Sequence, residues 1–169
     1  MRMNVKVLSF SVTLLFLAAF QLNGQEYKTA IGARLGSPLS ASIKYFMNES
    51  NALEGYIGFR SYSFYNWLSI SGAYQVHKPI ESAPGLQYYF GGGASFFIWS
   101  YDEKVYFGQR YSSSSIGIQG YLGLDYTFED APISLTIDWI PTYFIGTNFI
   151  SGFGAGYGSL GVRYILSRG

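Results

Sequence analysis

Seven charged side chains are the best candidates for chemistry in this chain, because they share the more polar face of segments in which apolar and polar residues alternate. They are Arg34, Lys44, Glu54, Arg60, Asp125, Asp138 and Arg163. Charges removed from bulk water must pair, so these residues predict an ion-pair network. Antiparallel pairing across a turn at 48–51 brings Lys44 near Glu54, and Arg163 is expected beside Asp138 and Arg34. A structural network is the first interpretation, and a gated ion path is the second.

The single histidine, His77, is the only candidate for an imidazole base. Acyl transfer or hydrolysis needs a nucleophile, a base and a group that orients the base. Lys78 and Pro79 follow His77 and supply no hydroxyl. We therefore expect His77 to lie in a turn or at a membrane interface, and the sequence predicts no catalytic residue.

Metal and cofactor sites are not predicted either. A metal site needs several His or Cys residues or clustered carboxylates, and the sequence has one His and no Cys. The segment Gly156-Tyr157-Gly158-Ser159-Leu160-Gly161 has the spacing of a dinucleotide-binding loop. Such a loop needs a strand before it and a βαβ unit around it, whereas this segment itself has the pattern of a strand. We expect no metal and no cofactor.

Alternation with a period of two indicates β-strands throughout the chain. In the segment 116–128, for example, Ile116, Ile118, Leu122 and Leu124 share one face. Eight such segments are predicted, over residues 27–36, 39–47, 52–61, 66–76, 86–98, 116–128, 132–140 and 156–166. Most have the 9–11 residues that a tilted strand needs to cross a membrane. The predicted fold is all-β, an eight-stranded antiparallel up-and-down transmembrane β-barrel.

The polar face distinguishes a membrane barrel from a soluble one, which has the same period but its apolar face inside. A face exposed to water would be rich in Lys and Glu, but here it is mainly Gly, Ser, Ala, Gln and Tyr. Charged residues make up only 12% of the chain, against about 25% in soluble domains. Aromatic residues near strand ends predict interfacial girdles, namely Tyr27, Phe59, Tyr62, Tyr65, Trp67, Trp99, Tyr101, Phe128 and Trp139.

The first 24 residues have the pattern of a secretory signal peptide. Arg2 and Lys6 precede an apolar run over 7–20, and Leu22 and Gly24 suit a cleavage site after Gly24. The predicted organisation is therefore a signal peptide over 1–24 and a barrel over 25–169, integral to the bacterial outer membrane and in contact with its lipid. The loss of Arg2 and Lys6 leaves 9 of the 11 basic residues against 10 acidic ones. No basic field exists to attract nucleic acid.

Two long connections are predicted on the side opposite the chain termini, over 99–115 and 141–155. Short periplasmic turns and longer outer loops are typical of such barrels. A protein partner is expected to bind through the loops 99–115 and 141–155. Aromatic residues and Arg dominate binding hot spots, and the candidate binding residues, all in the first loop, are Trp99, Tyr101, Tyr106, Phe107, Arg110 and Tyr111.

The segments 122–141 (LGLDYTFEDAPISLTIDWIP) and 161–164 (GVRY) resemble small single-domain outer membrane β-barrel proteins of the porin family, relatives in architecture of OmpA and OmpX. The resemblance implies an outer-membrane barrel and brings no catalytic residue. The first functional hypothesis is a structural or partner-binding barrel. The alternative is a narrow pore or a conduit for small solutes. Lipid-A modification would need a hydroxyl and a base in the loops, which the sequence does not offer.

Overall fold

The computed structural model describes residues 27–63, 65–101, 111–146 and 152–168. Eight antiparallel strands form one closed barrel in which each strand pairs with the next and β1 pairs with β8. The strands are β1 (Tyr27–Gly36), β2 (Leu39–Phe46), β3 (Asn51–Ser61), β4 (Tyr65–Pro79), β5 (Leu86–Tyr101), β6 (Tyr111–Thr127), β7 (Ile133–Gly146) and β8 (Gly152–Arg168). The predicted fold class is confirmed. In this part of the chain no helix is long and apolar enough to cross a membrane.

The outer wall is covered by large apolar side chains, as the alternation predicts. Ile43, Ile57, Ile70 and Leu122 each expose more than half of their surface. Contiguous apolar area of this kind on a soluble monomer would be unusual, whereas a lipid bilayer is a suitable solvent for it. The closed wall also pairs the backbone groups of each strand with those of its neighbours, which is the requirement for crossing hydrocarbon.

Six strands are longer than predicted, β3 by a single residue. β4 continues through His77 to Pro79, and the β5–β6 ladder continues to the pair Tyr101 and Tyr111. Much of the two predicted outer loops is therefore strand: residues 99–101 and 111–115 in the first, 141–146 and 152–155 in the second. The polar and aromatic residues of these segments resemble a loop in composition but pair as regular hairpins. The predicted signal peptide lies outside the described residues.

The two ends of the barrel differ. The terminal end holds the start of β1, the end of β8 and the turns over 47–50, 80–85 and 128–132, and the other connected strand ends lie at the loop end. β1 and β2 have 10 and 8 residues, whereas β6 and β8 each have 17. The last pair between β1 and β8 joins Gly36 to Ser159. The wall therefore rises higher at the loop end on the side of β4–β8.

Two irregularities redirect side chains. The register between β1 and β8 shifts twice between Tyr27 and Ala30, which turns Tyr27 into the barrel, where it is buried. A second shift lies between Ile140 and Thr142 of β7, beside Pro141, which has no N–H for the ladder. Proline in a closed sheet is confined to such bulges.

The prediction of interfacial girdles is wrong for three aromatic residues. Tyr27, Trp67 and Trp99 are buried inside the barrel, whereas Phe59, Tyr62 and Trp139 are exposed on its outside. Trp67 and Trp99 follow the strand alternation that places their neighbours Leu68 and Ile98 outside. Their place in the alternation, rather than their nearness to a strand end, determines that the side chains of Trp67 and Trp99 point into the barrel.

Candidate functional site: the barrel lumen

Six of the seven charged residues predicted to face inward meet inside the barrel. We call Arg34, Lys44, Glu54, Asp125, Asp138 and Arg163 the ion-pair cluster; each is at most 5% exposed. They come from β1, β2, β3, β6, β7 and β8 in turn. Because three cations face three carboxylates, the formal charges of the cluster balance.

Glu54 contacts all three cations of the cluster. Its Oε1 accepts hydrogen bonds from Arg34 Nη1 at 2.9 Å and from Arg163 Nη2. Its Oε2 accepts one from Gln75 Nε2 at 2.8 Å and lies 3.9 Å from Lys44 Nζ. Register explains the last contact, since Lys44 and Glu54 face each other across β2 and β3. These donors offset the free-energy cost of removing the Glu54 carboxylate from water.

Asp138 and Asp125 are held at two further positions. Asp138 Oδ2 accepts a hydrogen bond from Arg34 Nη2 at 2.6 Å and another from Tyr89. Asp125 accepts hydrogen bonds from Lys44 Nζ at 3.2 Å, Tyr27 at 3.0 Å and Ser134 at 2.6 Å. Charge-assisted hydrogen bonds, the stronger class of hydrogen bond, therefore link Arg34, Arg163, Glu54 and Asp138 to one another and Lys44 to Asp125. The 3.9 Å ion pair of Lys44 with Glu54 connects these two groups.

The pairing inside the cluster differs from the expected one. Asp138 binds Arg34, and Arg163 binds Glu54 and Thr136 Oγ1. Arg163 and Asp138 lie on neighbouring strands, but the register pairs Arg163 with Ser134 and Asp138 with Ser159, four residues further along. The guanidinium of Arg163 reaches across the lumen to Glu54 on β3 instead. Contacts across a lumen depend on strand tilt and stagger, which adjacent-strand register does not contain.

Arg60 does not belong to this cluster. Its Nη1 donates to the carbonyl of Gly36 at 3.3 Å, and its guanidinium carbon lies 4.9 Å from the ring centre of Tyr62. Both contacts are at the loop end. Hydrogen bonding to Ser37, and then to Arg60, lowers the pKa of the exposed Tyr62 below its ordinary value. The prediction that Arg60 is part of the lumen network is wrong.

His77 lies in the lumen and not in a turn. It is 1% exposed and stacks on Tyr89, with ring centres 4.7 Å apart. Its Nδ1 is 3.1 Å from Gln87 Oε1, and its Nε2 is 3.3 Å from Gln75 Oε1. Both ring nitrogens thus lie within hydrogen-bond distance of glutamine side-chain oxygens. Neither of these partners is a nucleophile. The expectation of a turn position fails because β4 runs three residues further than predicted.

A layer of hydroxyl and amide groups lies next to the cluster. The Tyr56 and Tyr121 hydroxyls are 2.7 Å apart, the Ser71 and Ser95 hydroxyls 2.6 Å apart, and Gln119 accepts hydrogen bonds from Tyr56, Ser95 and Tyr121. A small pocket adjoins this layer and leaves about 10 Å³ for the centre of a water molecule. That is about the room for a single water.

Aromatic rings close the lumen toward the loop end. We call Trp67, Phe97, Trp99 and Phe144 the aromatic plug; all four are buried, and Tyr65 and Tyr157 pack against them. Phe97 lies 5.2 Å from Trp67 and 5.1 Å from Phe144 between ring centres. Trp99, which was expected in a binding loop, packs instead in the plug, and its Nε1 donates to Ser115 Oγ at 2.8 Å.

The other candidate binding residues have no described side-chain surroundings. Tyr101 and Tyr111 end the β5–β6 ladder as a pair. Tyr106, Phe107 and Arg110 lie outside the described residues. Across the described ranges, no group of three or more His, Cys, Asp or Glu residues could hold a metal ion.

The barrel is similar to solved structures of outer-membrane proteins. The crystal structure of the N-terminal β-barrel domain of OprF from Pseudomonas aeruginosa matches with a TM-score of 0.62 and 16% identity, over 85% of this chain and 98% of that one. The chain has the fold of an outer-membrane β-barrel. The crystal structure of Neisserial surface protein A matches this barrel with a TM-score of 0.58 and 21% identity, over 82% and 93% of the two chains. No family model and no curated protein matches the sequence of the barrel.

Proposed function

We propose that this protein is an integral outer-membrane barrel that displays its loop end to a protein partner, and that it neither conducts solutes nor catalyses a reaction. The observation that carries the proposal is the filled lumen. Charged residues, hydroxyl groups and aromatic rings occupy successive levels of the barrel. An interior packed in this way stabilises the wall and leaves no continuous path for a solute.

The shape of the loop end supports a role in binding. β4–β8 rise above the level at which β1 and β2 end, so part of the wall stands clear of the hydrocarbon layer. Tyr143 and Phe153 face each other on the outside of this part and are 52% and 69% exposed. Exposed apolar groups outside a membrane are typical of contact sites for other proteins.

Among the described residues, His77 is not arranged as a catalytic base. Catalysis on lipid A would need a nucleophile and a base within hydrogen-bond reach of each other. The only imidazole, that of His77, lies inside the barrel and is bonded to Gln75 and Gln87. Among the described residues, this base has no hydroxyl nucleophile as its hydrogen-bond partner.

Orientation in the membrane can be tested because the chain has no cysteine. We expect a single cysteine at Tyr106→Cys, in the segment between β5 and β6, to react with a membrane-impermeant maleimide on intact cells. The matched variant Glu81→Cys, in a turn at the terminal end, should react only after the outer membrane is permeabilised. Labelling of Glu81→Cys but not of Tyr106→Cys on intact cells would reverse the proposed orientation.

Conductance tests the sealed lumen. We expect the purified protein to give no resolvable current steps in planar lipid bilayers, because buried side chains of the described residues fill the lumen from the ion-pair cluster to the aromatic plug. A general porin reconstituted in the same way provides the positive control. Folding in each sample is established by the shift in gel mobility that closed barrels show when boiled in SDS. Reproducible current steps from the wild-type barrel would instead favour a pore.

A narrow pore is the second candidate, and one observation favours it. Lys44 Nζ lies 3.2 Å from Asp125 and 3.9 Å from Glu54, so this cation faces two alternative carboxylates. Movement of Nζ from Asp125 to Glu54 would loosen the ion-pair cluster and leave the Asp125 carboxylate with hydrogen bonds from Tyr27 and Ser134. Voltage-dependent current steps that disappear in Lys44→Met would support this candidate over the sealed barrel.

A further inference from the structure

The upper part of β8 has a free edge. Residues 152–158 pair with β7 on one side, through pairs such as Phe144 with Gly152 and Trp139 with Gly158. Pairing on the other side begins only at Ser159, opposite Gly36 of β1. Among the described residues, no strand pairs with this second side, which we call the β8 edge. Its backbone N–H and C=O groups therefore point away from the barrel ladder.

The β8 edge lies beyond the hydrocarbon layer. A strand needs about 9–11 residues to cross the layer, and β1 has 10. The end of β1 at Gly36 thus marks the outer limit of the span. Seven residues of β8 extend past the pair of Gly36 with Ser159, which is about 23 Å along the strand at 3.3 Å per residue.

The chemistry of the β8 edge suits backbone recognition. Its sequence is Gly-Phe-Gly-Ala-Gly-Tyr-Gly, with neither charge nor proline. Exposed edges that are not used for binding are commonly protected by Lys, Pro or a β-bulge, and of these the β8 edge has only the register shift between Gly154 and Tyr157. No side chain crowds the backbone at Gly152 and Gly158, whereas the rings of Phe144 and Trp139 pack over Gly154 and Gly156. The exposed rings of Phe153 and Tyr143 form an apolar border beside the edge.

We propose that the β8 edge binds an extended, uncharged segment of another protein by adding it as a strand to the barrel wall. This inference rests on the proposed function and names the class of partner. Backbone hydrogen bonds give affinity in such strand addition, while side-chain contacts at alternate positions give specificity. The absence of charge on the edge favours a segment with apolar or hydroxyl side chains.

A second copy of the barrel does not fit this edge. Two copies with the same orientation in one membrane are related by an axis along the membrane normal. Strands of such barrels tilt by about 35–45° from that normal, so the two β8 strands would cross at roughly twice that angle instead of lying side by side. A segment that is not fixed in the membrane can align with the edge.

Amide hydrogen exchange of the full-length mature protein in nanodiscs tests whether the edge is free. Alternate amides within 152–158 should exchange at least about tenfold faster than the amides of 160–164, because exchange of an exposed edge needs no opening of the barrel. The second group pairs on both sides. Equal protection of the two groups would mean that another segment of the chain covers the edge, and would overturn the proposal.

Strand addition is tested with a fluorescent Thr-Val-Thr-Val-Thr-Val-Thr peptide as the probe. We expect saturable binding to the barrel by fluorescence anisotropy, protection of the alternate 152–158 amides, and at least about tenfold weaker binding when alternate peptide amides are N-methylated, because backbone donors are then lost. Equal binding of both peptides would overturn the proposal.

Two hairpin variants locate the binding. Replacing 141–156 with Asn-Gly closes β7 and β8 with a short turn and should lower peptide affinity by at least about tenfold, since most of the edge is removed. Replacing 101–111 with a Gly-Ser linker keeps the β8 edge and should leave affinity unchanged. The opposite result would place the binding on β5 and β6. If the first variant does not fold, the exchange data and the N-methylated peptide still decide. If the peptide does not bind and the wild-type barrel gives no current steps, the result rejects binding at the β8 edge but leaves the sealed barrel intact as a proposal.

Discussion

Glu54→Gln is expected to lower the free energy of unfolding by about 3–5 kcal/mol, the range for breaking a buried ion pair by removing one partner. Glu54 is the one carboxylate in contact with Arg34, Lys44 and Arg163. The amide keeps the volume of the side chain but leaves three buried cations facing two carboxylates. Urea unfolding in detergent micelles, followed by the SDS mobility shift, measures the loss.

Glu49→Gln is the matched control, because Glu49 is exposed in the turn between β2 and β3. Surface substitutions of this kind change stability by no more than about 0.5 kcal/mol. If both variants unfolded at the same urea concentration as the wild type, the ion-pair cluster would contribute nothing to stability. The network would then have to be explained by the alternative role as an ion path.

Phe97→Ala is expected to destabilise the barrel by about 3–5 kcal/mol, as is usual for truncating a buried Phe. Phe97 is 1% exposed and packs against Trp67, Trp99 and Phe144 in the aromatic plug. The space cannot easily collapse, because strands of a closed wall cannot move inward independently. The urea midpoint gives the change in stability, and tryptophan emission reports the loosened contacts with both indoles.

The adjacent residue offers a control of the same type and strand. Phe96 faces lipid and is 46% exposed, so lipid chains fill the space left by Phe96→Ala. We expect a smaller loss of stability there than in Phe97→Ala, with unchanged tryptophan emission. A larger loss at Phe96 would show that the plug is loosely packed and that lipid contacts dominate.

The wall of the barrel was predictable because it depends on local alternation. Residues such as Ile43 and Ile57 lie outside, and Lys44 and Glu54 inside, because each strand has a period of two. Register between neighbouring strands then follows from short turns. The same alternation predicts that Trp67 and Trp99 point inward, where they form part of the plug. Their position near strand ends was a poorer guide, because it predicted a place in the girdles.

The lumen was less predictable because its contacts join residues distant in sequence. Arg163 and Glu54 are 109 positions apart, and Arg34 and Asp138 are 104 apart. Their meeting depends on strand tilt, stagger and side-chain length together. The inward position of Tyr27 depends on a bulge that no neighbouring residue predicts. The strand extensions beyond 98 and 140 depend on the pairing of segments whose composition is typical of loops.

The balanced charges inside the barrel have a consequence for the order in which it assembles. Arg34 lies on the first strand, whereas Asp138 and Arg163 lie on the last two. The bonds of Arg34 to Asp138 and of Arg163 to Glu54 can therefore form only when β1 meets β8. Until that seam closes, an intermediate lacking β8 carries two cations against three carboxylates. The interior charges thus favour the complete barrel over a form that lacks β8.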